Sequence, residues 1–415
     1  MRGQVDPQSH LFSYFSPEER VPAGHPLRSI KAYTEMALKQ IQPLLNGLYS
    51  EIGRPSIPPE RLLKAQLLIA LYSVRSDRLF CETLDYNILF RWFLDMSLEE
   101  ASFDASTFSK NRERLAGEDV ALKFFDAVVR EARRLKLLSD EHFSVDGTLI
   151  EAWASLKSFR PKDGGGSGPD AGGDRDFKGE QRRNDTHAST TDAEARLLRK
   201  GPGKEAKLCF AGHALMDNRH GLMTDVALTP SVGVTEPEAA LTMLARQRRK
   251  QLRPASVGGD KGYHTQAFVS ALKAKDIRPH VACMATRTTV GLDGRTLRSA
   301  AYRASQIVRK RIEQFFGWGK SVGGLRKTRL KGVNRNAQLC CTSPVPPTTC
   351  CASVDCVRPR DRNLWTTAMT HSEPENRAKP HRFGRRSGPT PSHRARWIRL
   401  PFTCFITTQL FSAAC

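Results

Sequence analysis

The spacing of the apolar residues changes once along this chain, near residue 142, and that change limits the folds open to it. Before it, apolar side chains recur at helical intervals. Ser56-Ile57-Pro58-Pro59-Glu60 places proline in a first helical turn, where its missing N–H costs nothing. It leads into Leu62, Leu63, Leu67, Ile69 and Leu71. A segment from about Arg78 to Leu94 carries Leu79, Leu84, Ile88, Leu89, Trp92 and Phe93, and a later one carries Ala121, Phe124, Phe125, Val128 and Val129. Another amphipathic stretch opens at His25-Pro26-Leu27 and is expected to run to about Ile52. From His142-Phe143-Ser144-Val145-Asp146 onward the alternation is that of a strand.

Beyond that point Lys207–Met216 and Leu222–Leu228 flank the turn Asn218-Arg219-His220-Gly221. Pro237–Leu252 reads as helix, Ala255–Gly259 as strand, Gln266–Ala274 as helix, Ile277–Ala282 as strand and Ala304–Trp318 as helix. Strand, hairpin, helix, strand, helix, strand, helix is the element order of an RNase H-like sheet. The expected fold class is α/β. An all-α N-terminal domain, for DNA binding or dimerisation, covers 1–138. An RNase H-like mixed-sheet catalytic domain covers 139–332, with a Gly-rich flexible insertion at 161–205. A disordered tail follows at 333–415.

The chain has 65 Lys plus Arg against 43 Asp plus Glu, a net charge of +22. Such an excess points to a polyanionic partner, most simply nucleic acid. No apolar run approaches the ~18 residues of a membrane span, and the first residues lack the apolar centre of a signal peptide. The expected location is cytoplasmic, at the nucleoid, with no membrane and no small-molecule substrate. Seven of the ten cysteines lie from Cys340 onward. The adjacent pairs Cys340-Cys341 and Cys350-Cys351 match zinc-site spacing poorly.

Three acids fall at informative places: Asp146 near the end of the first strand, Asp260 after a later one, and Glu313 on the last helix. Phosphoryl transfer on DNA uses two divalent ions held by carboxylates from separate elements, and hard Mg²⁺ favours oxygen ligands. Singly, each acid has a plainer reading. Asp146-Gly147 fits a turn, Asp260 a helix cap, and Glu313 a surface pair with Arg309. Together, in this order, they read as one site. Arg309, Glu313 and Lys320 follow one another at helical spacing, which suits an acid on a metal beside cations on phosphates.

These blocks resemble the DDE transposases of bacterial insertion sequences, in the group with a helical N-terminal domain and a YREK-type third-acid motif. The likeness covers about residues 10–332. It rests on Phe143-Ser-Val-Asp-Gly-Thr-Leu-Ile-Glu-Ala-Trp-Ala154, Ser189-Thr-Thr-Asp192, Lys207-Leu-Cys-Phe-Ala-Gly-His213, Gly259-Asp-Lys-Gly-Tyr263, and Arg309, Glu313 and Lys320 at the motif's spacing, with Gln306 in place of its tyrosine. The resemblance implies catalytic, metal-holding Asp146, Asp260 and Glu313, two Mg²⁺ ions with Mn²⁺ as substitute, and DNA contacts from Arg309, Lys320, Lys261 and Tyr263. It implies cleavage at terminal inverted repeats, strand transfer into target DNA, and a homodimer or larger assembly. Trp153 and Trp318 would either pack in the core, the commoner fate, or stack on frayed bases.

The tail has a different texture. From residue 334 it holds eleven Arg and one Lys against four acids, with no folding period. It resembles a GC-rich gene read out of frame. Codons for Pro346–Ser353 can be chosen that, read from their third base, give Ala-Tyr-Asn-Leu-Leu-Arg-Leu, similar to the end of the family's last helix. A frameshift near 333–340 is the expectation, a genuine Arg-rich arm the other reading. The alternative function is a catalytically impaired remnant that only binds DNA; a nuclease of another pathway is a third.

Overall fold

Polar caps and prolines cut the first third of the chain into short helices. The computed structural model describes residues 16–342 apart from 51, 54, 118, 163–181, 200–202 and 284–290. Ser16 caps α1 (Pro17–Arg20), and His25 caps α2 (Pro26–Gly47) by accepting the Leu27 N–H at 3.2 Å. Helix α2 stops at Asn46-Gly47, short of Ile52, where poor helix formers end it. Pro59 opens α3 (Pro59–Leu71). The single helix expected over 78–94 is two, α4 (Asp77–Tyr86) and α5 (Ile88–Phe93). Asn87 leaves the helical conformation between them, and its Oδ1 accepts the Phe90 N–H at 3.0 Å. Then come α6 (Ala105–Gly117) and α7 (Val120–Arg134).

Leu27, Ile30, Leu62, Leu68, Phe80, Phe93, Phe108 and Phe124 form one apolar core under these helices. Each such side chain contributes about 1.5–3 kcal/mol through burial. Lys64 is buried among them and pairs with Glu35 at 3.1 Å and Asp95 at 2.5 Å. Helix α7 has two apolar faces. Phe124 and Val128 enter this core; Phe125 and Val129 enter a second one with Met216, Leu222, Met223, Ile312, Phe315 and Phe316.

The sheet begins with β1 (His142–Glu151), whose β-branched and alternating residues suit a pleat. It is followed by β2 (Phe159–Pro161), β3 (His187–Ser189), β4 (Arg196–Arg199), β5 (Ala206–Asp217), β6 (Leu222–Pro230), α8 (Glu236–Arg249), β7 (Ser256–Gly259), α9 (Gln266–Lys273) and β8 (Arg278–Val281). Strand β1 is antiparallel to β5 and parallel to β7, and β7 is parallel to β8. The far edge of β5 carries β6 over Phe210–Asp217 and β4 over Ala206–Cys209. This is the mixed RNase H-like sheet expected from the element order, β6-β5-β1-β7-β8, with the helical module before it. The turn between β5 and β6 needs Gly221, which holds φ +74°.

Three expectations are corrected. The interval 161–205 is not wholly irregular, because it contains β3 and β4. Side-chain bonds to backbone order it rather than an apolar pattern: Asn184 accepts the Leu197 N–H at 2.7 Å and donates to the Leu197 carbonyl at 2.8 Å. Its central part, 163–181, lies outside the described residues. The helix expected over 304–318 is interrupted. After α10 (Gly294–Arg298) come α11 (Ala300–Val308) and α12 (Arg311–Ser321), with Arg309 and Lys310 at the break. The expected tail also begins with helix α13 (Val333–Thr342). Its Gln338 accepts the Leu122 N–H at 3.1 Å and donates to Asp119 at 2.6 Å, and Cys341 is buried in the second core. Val333, Ala337 and Cys340 pack on a further apolar cluster, so small side chains and cysteines, together with the Gln338 bonds, hold this helix. Residues 343–415, including the rest of the expected tail, lie outside the described residues.

Candidate active site

The parallel pairing of β1 with β7 ends at Ser144 opposite Gly258, while β1 stays paired to β5 as far as Glu151. Two residues past that last rung stand Asp146 on β1 and Asp260 just after β7. Both therefore sit at the open edge left where β7 stops. Asp260 caps a 3-10 turn, Lys261–Tyr263, by accepting the Gly262 N–H at 2.8 Å. The Asp146 carboxylate accepts the N–H of Gly147 at 2.9 Å.

Glu313 comes from α12. Ile312, Phe315 and Phe316 sink the other face of that helix into the second core, which leaves Glu313 exposed. Two bonds tie α12 to the sheet: Arg311 donates to the Asn218 carbonyl at 3.0 Å, and Lys320 donates to Thr148 Oγ1 at 2.5 Å.

Asp146 feels the charges of the other acids. Burial pushes the Asp146 carboxyl up to about 6; the Gly147 N–H opposes this, and the charges of Asp260, Glu236 and Glu313 add to it. A fourth acid thus joins the three that the sequence singled out. Glu236 is the first residue of α8. Partial desolvation of its carboxyl, then the Asp260 charge, raises its affinity for a proton. A Cβ on Gly147 would fall 2.7 Å from Glu236 Oε1, and one on Gly262 would fall 3.6 Å from Oε2 and 3.0 Å from Asp260 Oδ1. The two glycines leave the room in which Glu236 stands beside Asp146 and Asp260. None of the four acids has an ion pair among the described residues.

Tyr263 completes the cluster from beneath. It is fully buried, packed on Phe268 with ring centroids 5.4 Å apart, and its hydroxyl has no hydrogen-bond partner. Burial raises its pKa well above the ordinary value, and the charges of Glu236, Asp146 and Asp260 raise it further. Among the described residues no three His, Cys, Asp or Glu side chains form a preassembled metal cluster. The donor set is nonetheless one that a hard divalent ion fits: oxygen only, with uncompensated negative charge and an unsatisfied hydroxyl.

The expected DNA-contacting residues fare differently. Lys261 is exposed. Arg309 lies at the break between α11 and α12 and donates to Gln306 at 3.2 Å. Lys320 is engaged with Thr148. Tyr263 is a correction: its ring fills the space over Gly259, where a Cβ would be 3.1 Å away, so it presents no surface to DNA. Trp153 is a correction of the opposite kind. It is 55% exposed, with its backbone N–H held by Thr328 Oγ1 at 2.8 Å and the Lys327 ammonium over its ring, 5.9 Å from the centroid. Trp318 is half-buried.

An RNase H-like sheet with carboxylates placed just past the point where its central parallel pair parts defines the polynucleotidyl transferase class of folds. Two family models match this sequence: Transposase domain (DUF772) over residues 15–114, and Transposase DDE domain over residues 139–343. The chain belongs to the insertion-sequence DDE transposases. No curated protein matches it. Solved structures similar to it include the piggyBac transposase synaptic complex with hairpin DNA, at 11% identity and TM-score 0.35, covering 80% of this chain and 76% of that one. The Mos1 strand transfer complex is similar at 10% identity and TM-score 0.18, covering 74% and 81%. Both likenesses are remote. No helix among the described residues is long and apolar enough to cross a membrane.

Proposed function

We propose that this transposase acts as a homodimer that binds the terminal inverted repeats of its element, cleaves the DNA there and joins the freed 3′-hydroxyl to target DNA. Asp146, Asp260 and Glu313 are the catalytic carboxylates and hold two Mg²⁺ ions, which Mn²⁺ can replace. The observation that supports this reading is that the charges of Asp260, at the end of β7, and Glu313, on α12, both bear on the buried Asp146 of β1, and none of the three has an ion pair among the described residues. Such a cluster is costly unless cations or bound ligands offset it. Divalent ions would supply charge neutralisation at the scissile phosphate. The protein's part is to fix the acids on β1, just past β7 and on a packed helix, and to offer phosphate contacts from Lys261, Arg309 and Lys320.

The test uses duplex DNA carrying the sequences that flank the gene, with Mg²⁺ present. Wild-type protein is expected to nick at the element ends. Asp146→Asn, Asp260→Asn and Glu313→Gln should each lose cleavage by on the order of 10³-fold while still shifting the DNA in a gel. Undiminished cleavage by any one variant removes that residue from the site.

A further inference from the structure

We infer that Glu236 is a fourth carboxylate ligand of the divalent metal, serving the ion held between Asp146 and Asp260. This rests on reading the Asp146–Asp260–Glu313 cleft as a metal site. Three observations carry it beyond the expected three acids. First, the position is built from both sides. Glu236 Oε1 lies over Gly147 and Oε2 over Gly262, the residues next to Asp146 and next but one to Asp260; any side chain at Gly147 would collide with it. Second, Glu236 has no structural task that explains this placement. The N-terminus of α8 is already closed by a capping box, in which Thr235 accepts the Glu238 N–H and Glu238 accepts the Thr235 N–H at 2.8 Å. Glu236 forms no ion pair among the described residues. Third, the fully buried hydroxyl of Tyr263 has no partner, and the charges acting on it are those of Glu236, Asp146 and Asp260. A buried polar group left unsatisfied within reach of three carboxylate charges fits a place completed by something bound there.

The plainer role for Glu236 is that of a first-turn acid on the helix dipole, contributing about 0.3–1 kcal/mol. The two roles separate on metal affinity. The experiment measures Mn²⁺ binding to the full chain by electron paramagnetic resonance, without DNA, and thermal stability in the metal-free state. Glu236→Gln is expected to weaken Mn²⁺ about 10–100-fold, the range typical of lost metal-site support, with a metal-free midpoint close to wild type. Glu236→Asp should recover part of the affinity. Wild-type affinity in Glu236→Gln, alongside lost affinity in Asp146→Asn, overturns the assignment of Glu236 and leaves the three-acid site standing. Equal Mn²⁺ affinity in wild type and Asp146→Asn overturns the metal site itself, and Glu236 with it.

Discussion

Lys320 reaches across from α12 and donates to the hydroxyl of Thr148, two residues beyond Asp146 on β1, at 2.5 Å. That bond links the helix bearing Glu313 to the strand bearing Asp146. Thr148→Val removes the acceptor without removing volume. We expect DNA cleavage to fall about ten- to a hundredfold, as a slightly misplaced catalytic group would produce. The cost in unfolding free energy should be only about 1 kcal/mol. Single-turnover cleavage rates and urea melts measure the two effects; an unchanged rate would show that the bond does not position Glu313.

Gly147→Ala tests the cleft from its other wall. The new methyl would meet the flexible tip of Glu236, not backbone. The fold should survive with a stability change within about 1 kcal/mol, and Mn²⁺ affinity should fall as it does in Glu236→Gln. Combined, the two changes should cost little more than either alone, because both displace the same carboxylate. Additive losses would mean that Gly147 acts by another route.

Acid should weaken the sheet through His213. Burial holds this imidazole neutral, with a pKa lowered from 6.5 to about 4, and its Nε2 lies 2.9 Å from Thr229 Oγ1. Between those two values the unfolded chain binds the extra proton. The contribution of the neutral ring is therefore complete above 6.5 and is lost as the pH falls towards 4. His213→Gln should flatten this part of the stability profile by up to about 3 kcal/mol relative to wild type. Urea denaturation of both proteins across that range is the check, and parallel profiles would exclude His213 as a contributor.

Helix α13 should be integral to the fold. A chain ending at residue 342 is expected to melt cooperatively. One ending at residue 331 loses the Gln338 bonds to Leu122 and Asp119 and uncovers the apolar surface around Cys341. Its midpoint should drop by several degrees, which circular dichroism would detect. Equal midpoints would make α13 an appendage.

How much of this was legible in the sequence follows from where the signals lie. Asp146 and Asp260 sit in compact blocks at a change of period and beside glycines, so position and chemistry agreed. Glu236 was hidden because an acid after threonine at a helix start looks like routine dipole compensation; only the empty space at Gly147, opposite it in the fold, reveals it. The break between α11 and α12 was hidden because Arg309, Glu313 and Lys320 keep helical spacing across it. Tyr263 was expected to touch DNA only through the resemblance of its block, but in the turn after Asp260 its side chain is buried while that of Lys261 is exposed. Trp153 was expected in the core as the commoner fate of tryptophan, yet it lies just past the end of β1, where the Lys327 side chain lies over its ring and leaves it 55% exposed.

The two-faced packing of α7 has a consequence for control of the chemistry. Phe125 and Val129 rest on the same apolar layer as Ile312 and Phe315, which flank Glu313 on α12 at one and two residues. The helical module and the helix that bears Glu313 therefore share one buried layer, and a substitution that loosens α7 there would be felt on both sides of it.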